Sequence, residues 1–360
     1  MSPAGHPRVA VVGAGQIGRG WAALLASAGW PVAIYDADAN TVHDGVRDVH
    51  DRVQALVRLG RAGQDAAASG LSELRAARSL LQAVHDADWV IEAAPEDLGV
   101  KQRVLEQIEQ VARAAAVVTS STSGLHASAL CARLRHPERL LVAHPLSPVE
   151  LMPVVELVPG PATNPDLVED VRWWLQQLGR APIVLRHEVS GNVVGRISAA
   201  VWRECIQLVL DGVVDVRELD RAVALGPSLA WVAAGPNLSH HLGAGEQGVS
   251  AFLENLLTTH EQWWGELASW RQLDREDQLR LIRAIERAYD GRAPELRRAR
   301  DERLGRLLAA VDDRRHDPSP ARIDLPPLRT GERSAAAPPS DTDATVVRTP
   351  MERPAAQGPE

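Results

Sequence analysis

A short apolar run that ends in Gly13-Ala14-Gly15-Gln16-Ile17-Gly18 constrains this chain more than any other feature. Arg8 to Val12 reads as a buried strand. The glycine turn follows, then an apolar helix through Trp21, Leu24, Leu25 and Ala28. Gly29 closes that helix, and Val32 to Tyr35 reads as a second strand. A GxGxxG turn between a strand and a helix is the βαβ dinucleotide fingerprint in its required context. The first glycine permits the tight turn, the second lets the backbone approach a pyrophosphate, and the third lets helix and strand pack closely. The helix start, at Gln16 and Ile17, presents free N–H groups and a positive dipole end to the phosphates.

Asp36 ends the second strand, where a carboxylate accepts hydrogen bonds from the adenosine ribose. The same charge repels a 2′-phosphate, so the expected cofactor is NAD rather than NADP. A strand-end or capping Asp is the competing reading. Asp38 is the expected cap of the next helix.

Residues 41 to 80 read as helical, with Val42, Val46, Val49, Val53, Leu56 and Leu59 in step. Strands are expected at Trp89–Ala93, Val117–Ser120, Leu140–His144, Val154–Val158 and Ile183–Leu185, and helices at Val100–Val111 and Pro165–Leu178. Ligands of open α/β sheets bind beyond the carboxyl ends of the strands. The Gly loop, Pro95–Lys101, Ser121–Ser123 and His144–Ser147 all fall at that edge. From about 190 the alternation gives way to helical patterns only. The expected architecture is α/β: a Rossmann-type doubly wound sheet (1–188), an all-helical domain (189–315) and a disordered tail (316–360). The tail is rich in Pro, Ser, Thr, Ala and Arg, with few large apolar residues to bury.

The formal net charge of −8 weighs against nucleic acid or an anionic membrane surface as partner. Charged residues interrupt every apolar run of spanning length. The first strand starts so early that no secretory signal is expected, which makes a cytoplasmic enzyme the default. Cys131 and Cys205 are the only cysteines and form no ligand pattern, so neither a disulfide framework nor a metal site is expected. The adjacent His240 and His241 point in different directions and make a poor metal site. Trp173-Trp174 and Trp263-Trp264 read as packing, the latter pair alternatively as a dimer surface.

His144 and Glu156 carry the chemistry. His144 ends a buried strand at the ligand edge, where an imidazole takes a proton from an alcohol while a nicotinamide takes the hydride. Glu156 interrupts Val154-Val155-Glu156-Leu157-Val158, and its burial requires a partner that the imidazole supplies; a solvent-facing edge position is the alternative. Ser121, Thr122 and Ser123 either cap the next helix or hydrogen-bond a substrate oxygen or the nicotinamide carboxamide. Lys101 is the only lysine in an arginine-biased chain. Either its compact ammonium is required, or it survives by chance.

Taken in order, Gly13-x-Gly15-x-x-Gly18, Glu92-Ala93-Ala94-Pro95-Glu96-Asp97 with Lys101, Ser121-Thr122-Ser123, His144-Pro145 and Glu156-Leu157 resemble the L-3-hydroxyacyl-CoA dehydrogenase family. Ile17-Gly18-Arg19-Gly20-Trp21-Ala22 and Val155-Glu156-Leu157-Val158-Pro159 resemble its lambda-crystallin (L-gulonate 3-dehydrogenase) and carnitine dehydrogenase branch. The resemblance spans roughly residues 8 to 290. It implies NAD-dependent oxidation of an L-3-hydroxy acid or acyl thioester and a homodimer built by the helical domain. By the same resemblance His144 is the base, Glu156 orients it, Ser123 contacts substrate and nicotinamide, and Glu96 and Lys101 stand beside the cofactor.

Two departures bear on the substrate. Ser147 stands where the family has Asn. The family motif Gly-Phe-x-x-Asn-Arg reads Gly191-Asn192-Val193-Val194-Gly195-Arg196 here. Ser147 and Asn192 are therefore the expected substrate-side substitutes, Asn192 only if its loop is rewound. Fold alone does not choose between free acid and thioester. Loss of the family Asn also leaves open a non-catalytic, NAD-binding relative.

Overall fold

The computed structural model describes residues 5–289 and 293–312. The expected disordered tail, 316–360, lies outside them. The first half alternates as the sequence predicts: β1 (Val9–Val12), α1 (Gln16–Ser27), β2 (Val32–Tyr35), α2 (Ala39–Arg58), α3 (Gln64–Ser72), β3 (Arg75–Ala76), α4 (Leu80–Val84), β4 (Trp89–Glu92) and α5 (Leu98–Val111). Then follow β5 (Val117–Ser120), α6 (Ala127–Leu130), β6 (Leu140–Pro145), β7 (Val154–Pro159), α7 (Pro165–Gln177) and β8 (Ala181–Val184).

These strands form one eight-stranded sheet, ordered β3-β2-β1-β4-β5-β6-β7-β8. All neighbours are parallel except β6 and β7. The strand order reverses between β1 and β4, and that switch point opens the ligand crevice. β1 shows why the sheet is covered on both faces. Val9 and Val11 pack into one apolar cluster with Trp21, Leu25 and Val171, while Ala10 and Val12 pack into another with Leu105 and Ile108. A strand buried on both faces reads as continuous apolar sequence. Each fully buried Val or Leu contributes about 1.5–3 kcal/mol. Of the Trp pairs, Trp174 stacks on the buried Trp89 at 5.4 Å, whereas Trp173 is more than half exposed.

The helical half comprises α8 (Val194–Leu210), α9 (Val216–Leu225), α10 (Pro227–Ala234), α11 (Pro236–Gly243), α12 (Gly248–Glu266), α13 (Arg275–Tyr289) and α14 (Ala293–Asp312). α14 returns to the nucleotide half, where Leu308 and Leu304 pack against Leu56, Leu59 and Leu151.

One expectation needs correction. Residues 41–80 are not one helix. α2 stops at Arg58 because Gly60 turns left-handed, with φ 67°, and the chain then makes α3, the two-residue edge strand β3 and α4. β3 has only two paired residues, too few to show alternation. The stretch around His240 and His241 forms two short helices, α10 and α11, joined at Gly235, with both histidines in α11. The two imidazoles diverge: His240 packs on Phe252, and His241 Nδ1 accepts the Val249 N–H. No cluster of metal-ligating residues occurs among the described residues.

Candidate active site

The crevice at the switch point is a cavity of about 620 Å³ lined by Gly13, Gly15, Gln16, Ile17, Asp36, Glu96, Lys101, Ser121 and Ser123, among others. Its glycines divide the labour. Gly13 has φ 109°, and a Cβ there would lie 2.4 Å from the Ala93 carbonyl oxygen. A Cβ on Gly18 would lie 1.8 Å from the Gly13 carbonyl oxygen, so this position seats helix against strand. A Cβ on Gly15 meets nothing within 4 Å. That open space, beside an α1 N-terminus with no side-chain cap, suits a pyrophosphate. Asp36 accepts the Ala14 N–H at 2.8 Å through Oδ2 and the Asp38 N–H through Oδ1, which holds its carboxylate at the rim of the cavity. Asp38 caps α2 as expected.

The Gly loop is also gripped from the side. Arg52 on α2 donates to the Gln16 side chain, to Asp48 and to Glu150. Burial works against the Arg52 charge, but Glu150 and Asp48 outweigh it and raise its pKa above the ordinary value. Nothing in the local sequence announces this contact, because Glu150 lies 98 residues from Arg52.

At the floor of the cavity Lys101 is 1 % exposed. Its ammonium donates to both Glu92 oxygens, at 3.0 and 3.2 Å, and to the Ala94 carbonyl at 3.0 Å. Glu96 lies 3.6 Å away. Glu92 in turn accepts the Ser120 hydroxyl and the Ala94 N–H. Glu92 escaped the sequence reading of the site. Its signal was an acid inside the apolar strand Trp-Val-Ile-Glu, nine residues before the only lysine. Glu96 accepts the Thr122 hydroxyl at 2.6 Å and the Ser123 N–H at 2.9 Å, which fixes the loop after β5. Thr122 also receives the Leu125 N–H, so part of this Ser/Thr cluster is local turn chemistry. Ser123 is exposed and Ser121 accepts the buried Trp21 N–H.

β6 stands next to β5, and His144 near its end pairs in register with Glu156 on β7. His144 Nδ1 lies 2.9 Å from Glu156 Oε2, with the carboxylate fully buried. An ionised carboxylate only accepts, so Nδ1 carries the proton and Nε2 is left with a lone pair. Glu156 Oε1 accepts the backbone N–H groups of Val193 and Val194, at 2.8 and 3.0 Å, where α8 begins. Thus one buried carboxylate has both oxygens satisfied and joins the imidazole to the helical half.

Asn192 takes φ 50°, the only positive φ outside glycine among the described residues. The residue that departs from the family motif thus takes a left-handed backbone conformation. Asn192 is buried, and its amide points to the Ser123 carbonyl, with Nδ2 at 3.5 Å. Gly195 faces open space. Ser147 is exposed after β6.

A glycine-cradled crevice one strand away from a buried imidazole–carboxylate pair defines a nucleotide-dependent dehydrogenase. Sequence comparison makes the assignment specific. The NAD binding domain of 3-hydroxyacyl-CoA dehydrogenase matches residues 8–189, and its C-terminal domain matches residues 191–282. The chain belongs to the 3-hydroxyacyl-CoA dehydrogenase family, as an oxidoreductase with NAD as cofactor. It is 34% identical over 306 residues to L-carnitine dehydrogenase of Bacillus cereus, covering 85% of this chain and 92% of the relative. It is 33% identical over 311 residues to that of Streptomyces coelicolor, covering 86% and 96%. Among solved structures, (S)-3-hydroxybutyryl-CoA dehydrogenase from Ralstonia eutropha aligns with TM-score 0.57 and 27% identity, over 72% of this chain and 88% of that one. An NAD⁺-dependent 5-formyl-3-hydroxy-2-methylpyridine 4-carboxylic acid 5-dehydrogenase shares the fold, with TM-score 0.73 at 24% identity, over 85% and 98%.

Proposed function

We propose that the chain interconverts an L-3-hydroxy acid, or its thioester, and the 3-keto form. His144 Nε2 takes the hydroxyl proton in oxidation and returns it in reduction. When bound, NAD would supply the acceptor for the hydride that leaves the substrate's C3. Glu156 holds the proton on Nδ1, so Nε2 stays basic, and it stabilises the imidazolium that forms. Ser123 contacts the substrate oxygen beside the nicotinamide. Asn192 holds the Ser123 loop, and Ser147 flanks the substrate. Gly13, Gly15, Gln16, Ile17 and Gly18 cradle the pyrophosphate, and Asp36 holds the adenosine ribose. Glu96 and Lys101 support the nicotinamide end.

The observation that carries this reading is the 2.9 Å His144–Glu156 contact, beside a crevice built for a dinucleotide. A non-catalytic relative would have no use for an imidazole whose tautomer is fixed by a fully buried carboxylate. We further propose a homodimer. Val249, Leu253, Leu256, Trp263 and Trp264 on α12 leave an apolar helix face exposed, in keeping with a second copy covering it. No helix among the described residues is long and apolar enough to cross a membrane.

The test is NAD⁺ reduction, followed by absorbance, with L-carnitine, L-gulonate, L-3-hydroxybutyrate and 3-hydroxybutyryl-CoA. One of them is turned over, and His144→Asn lowers kcat by about 10²–10⁴-fold with NADH binding retained. Equal turnover by wild type and His144→Asn would refute the assigned base.

A further inference from the structure

A second cavity, of about 850 Å³, runs along α8 and the start of α13. It begins at Ser190, Gly191 and Gly195, the residues that flank the Val193 and Val194 amides held by Glu156. Gly195 leaves its near end open, because even a Cβ would meet nothing there within 4 Å. Further along, the lining residues include Arg196, Arg203 and Arg271 together with Trp202 and Trp270. No described Asp or Glu lines it. Arg196 makes one long contact, to the Ser190 carbonyl at 3.4 Å, and Arg203 and Arg271 have no carboxylate partner among the described residues. Trp270 is fixed by its N–H on Gln207, at 2.9 Å. The chain as a whole is acidic, so a cavity with three cationic side chains and no acidic one stands out from its surroundings. The three arginines come from two separate stretches of sequence, so no linear motif shows them.

We propose that this cavity is a subsite for an anionic group on the substrate, with Arg203 and Arg271 as its binding residues. The proposal deepens, and rests on, the reading of His144 as the base of a 3-hydroxy dehydrogenase. Guanidiniums recognise carboxylates and phosphates through charge-assisted, often paired, hydrogen bonds. Planar indoles hold the apolar stem between. A quaternary ammonium is attracted to indole faces, but here it would meet three like charges with no carboxylate to offset them. The substrate's distal group is therefore an anion rather than the trimethylammonium of carnitine. The shared chemistry fits the carboxylate of a small acid or a phosphate at the nucleotide end of an acyl thioester.

Calorimetry on the full chain saturated with NADH separates these sources and does not depend on turnover. The probes are 3-hydroxyglutarate, which carries a second carboxylate where carnitine carries its ammonium, adenosine 3′,5′-bisphosphate and choline. The variant is Arg203→Gln/Arg271→Gln, which keeps hydrogen-bonding ends and removes the charge; Arg203→Lys/Arg271→Lys keeps the charge. One of the two anions binds wild type, loses at least tenfold in the Gln variant and recovers part of that in the Lys variant. Choline binds neither. Loss confined to the hydroxy acid assigns a free carboxylate, and loss confined to the bisphosphate assigns a thioester nucleotide. Unchanged anion affinity in the Gln variant, no anion binding to wild type, or choline binding at least as tightly as both anions, would overturn the proposal. So would a change in sedimentation with anion affinity unaltered, which would assign this face to a second copy of the chain. If His144→Asn abolishes turnover while the arginine substitutions leave these affinities unmoved, the subsite fails and the dehydrogenase reading stands.

Discussion

Glu156 holds His144 with one carboxylate oxygen and the first two amides of the α8 entry with the other. The pairing follows from strand register: β6 and β7 are the one antiparallel pair in the sheet, and His144 and Glu156 are direct partners across it. Both side chains therefore leave the sheet on the same face.

This double duty separates two substitutions. Glu156→Gln retains an acceptor for the Val193 and Val194 amides but turns an N–H₂ toward His144. Nδ1 must then accept, and the proton moves to Nε2. We expect kcat to fall by about 10²–10⁴-fold with little change in the melting curve. Glu156→Ala loses the same activity and also strands buried N–H groups, at about 1–3 kcal/mol of stability. Steady-state kinetics and thermal unfolding of both variants distinguish the effects.

Lys101 and Glu92 form a buried pair, with side chains 1 % and 0 % exposed. Lys101→Met leaves an uncompensated carboxylate and is expected to destabilise the chain by about 3–5 kcal/mol. Adding Glu92→Gln removes that charge and recovers a large part of the loss. Denaturant unfolding of the single and double variants measures the coupling, and additive losses would refute it.

Gly15 and Gly18 answer differently to one methyl group. Gly15→Ala faces open space, so stability stays within about 0.5 kcal/mol while NADH affinity drops at least tenfold, because the methyl occupies the pyrophosphate approach. Gly18→Ala collides with the Gly13 carbonyl and costs about 1–3 kcal/mol or more of stability. Fluorescence titration with NADH, paired with unfolding curves, reads both.

Burial pushes the Cys131 and Cys205 thiols above their ordinary pKa, helped by the negative charge of Glu188 at the first and of Asp220 and Glu204 at the second. The thiolate is the reactive form. A raised pKa leaves less of it at neutral pH, so iodoacetamide labels both slowly at pH 7, and the rate climbs only at more alkaline pH than for a free cysteine. Peptide mass spectrometry across pH checks this. Labelling as fast as free cysteine at pH 7 would contradict the shift.

The glycine turn, the strand-end Asp36 and the buried acid of β7 were legible because each is a local pattern with a physical cost attached. A glycine where a Cβ would collide, or a Glu in an apolar strand, has few explanations. β3 was not legible, since two residues carry no period. The Arg52 grip on Gln16 and Glu150 was hidden because its partners are far apart in sequence. Asn192 was half legible. The altered motif marked the loop, but its left-handed turn at φ 50° shows only in the backbone. Lys101 stood out by its rarity, but rarity said nothing of Glu92, whose ammonium partner is reached only when α5 folds back on β4.

The family match ends at residue 282, yet α14 runs from Ala293 to Asp312 and lays Leu304 and Leu308 over Leu56, Leu59 and Leu151. A shortened protein cut at the matched boundary would expose three leucines on the nucleotide half and invite aggregation there. An expression boundary for this chain belongs after residue 312, wherever the alignment happens to stop.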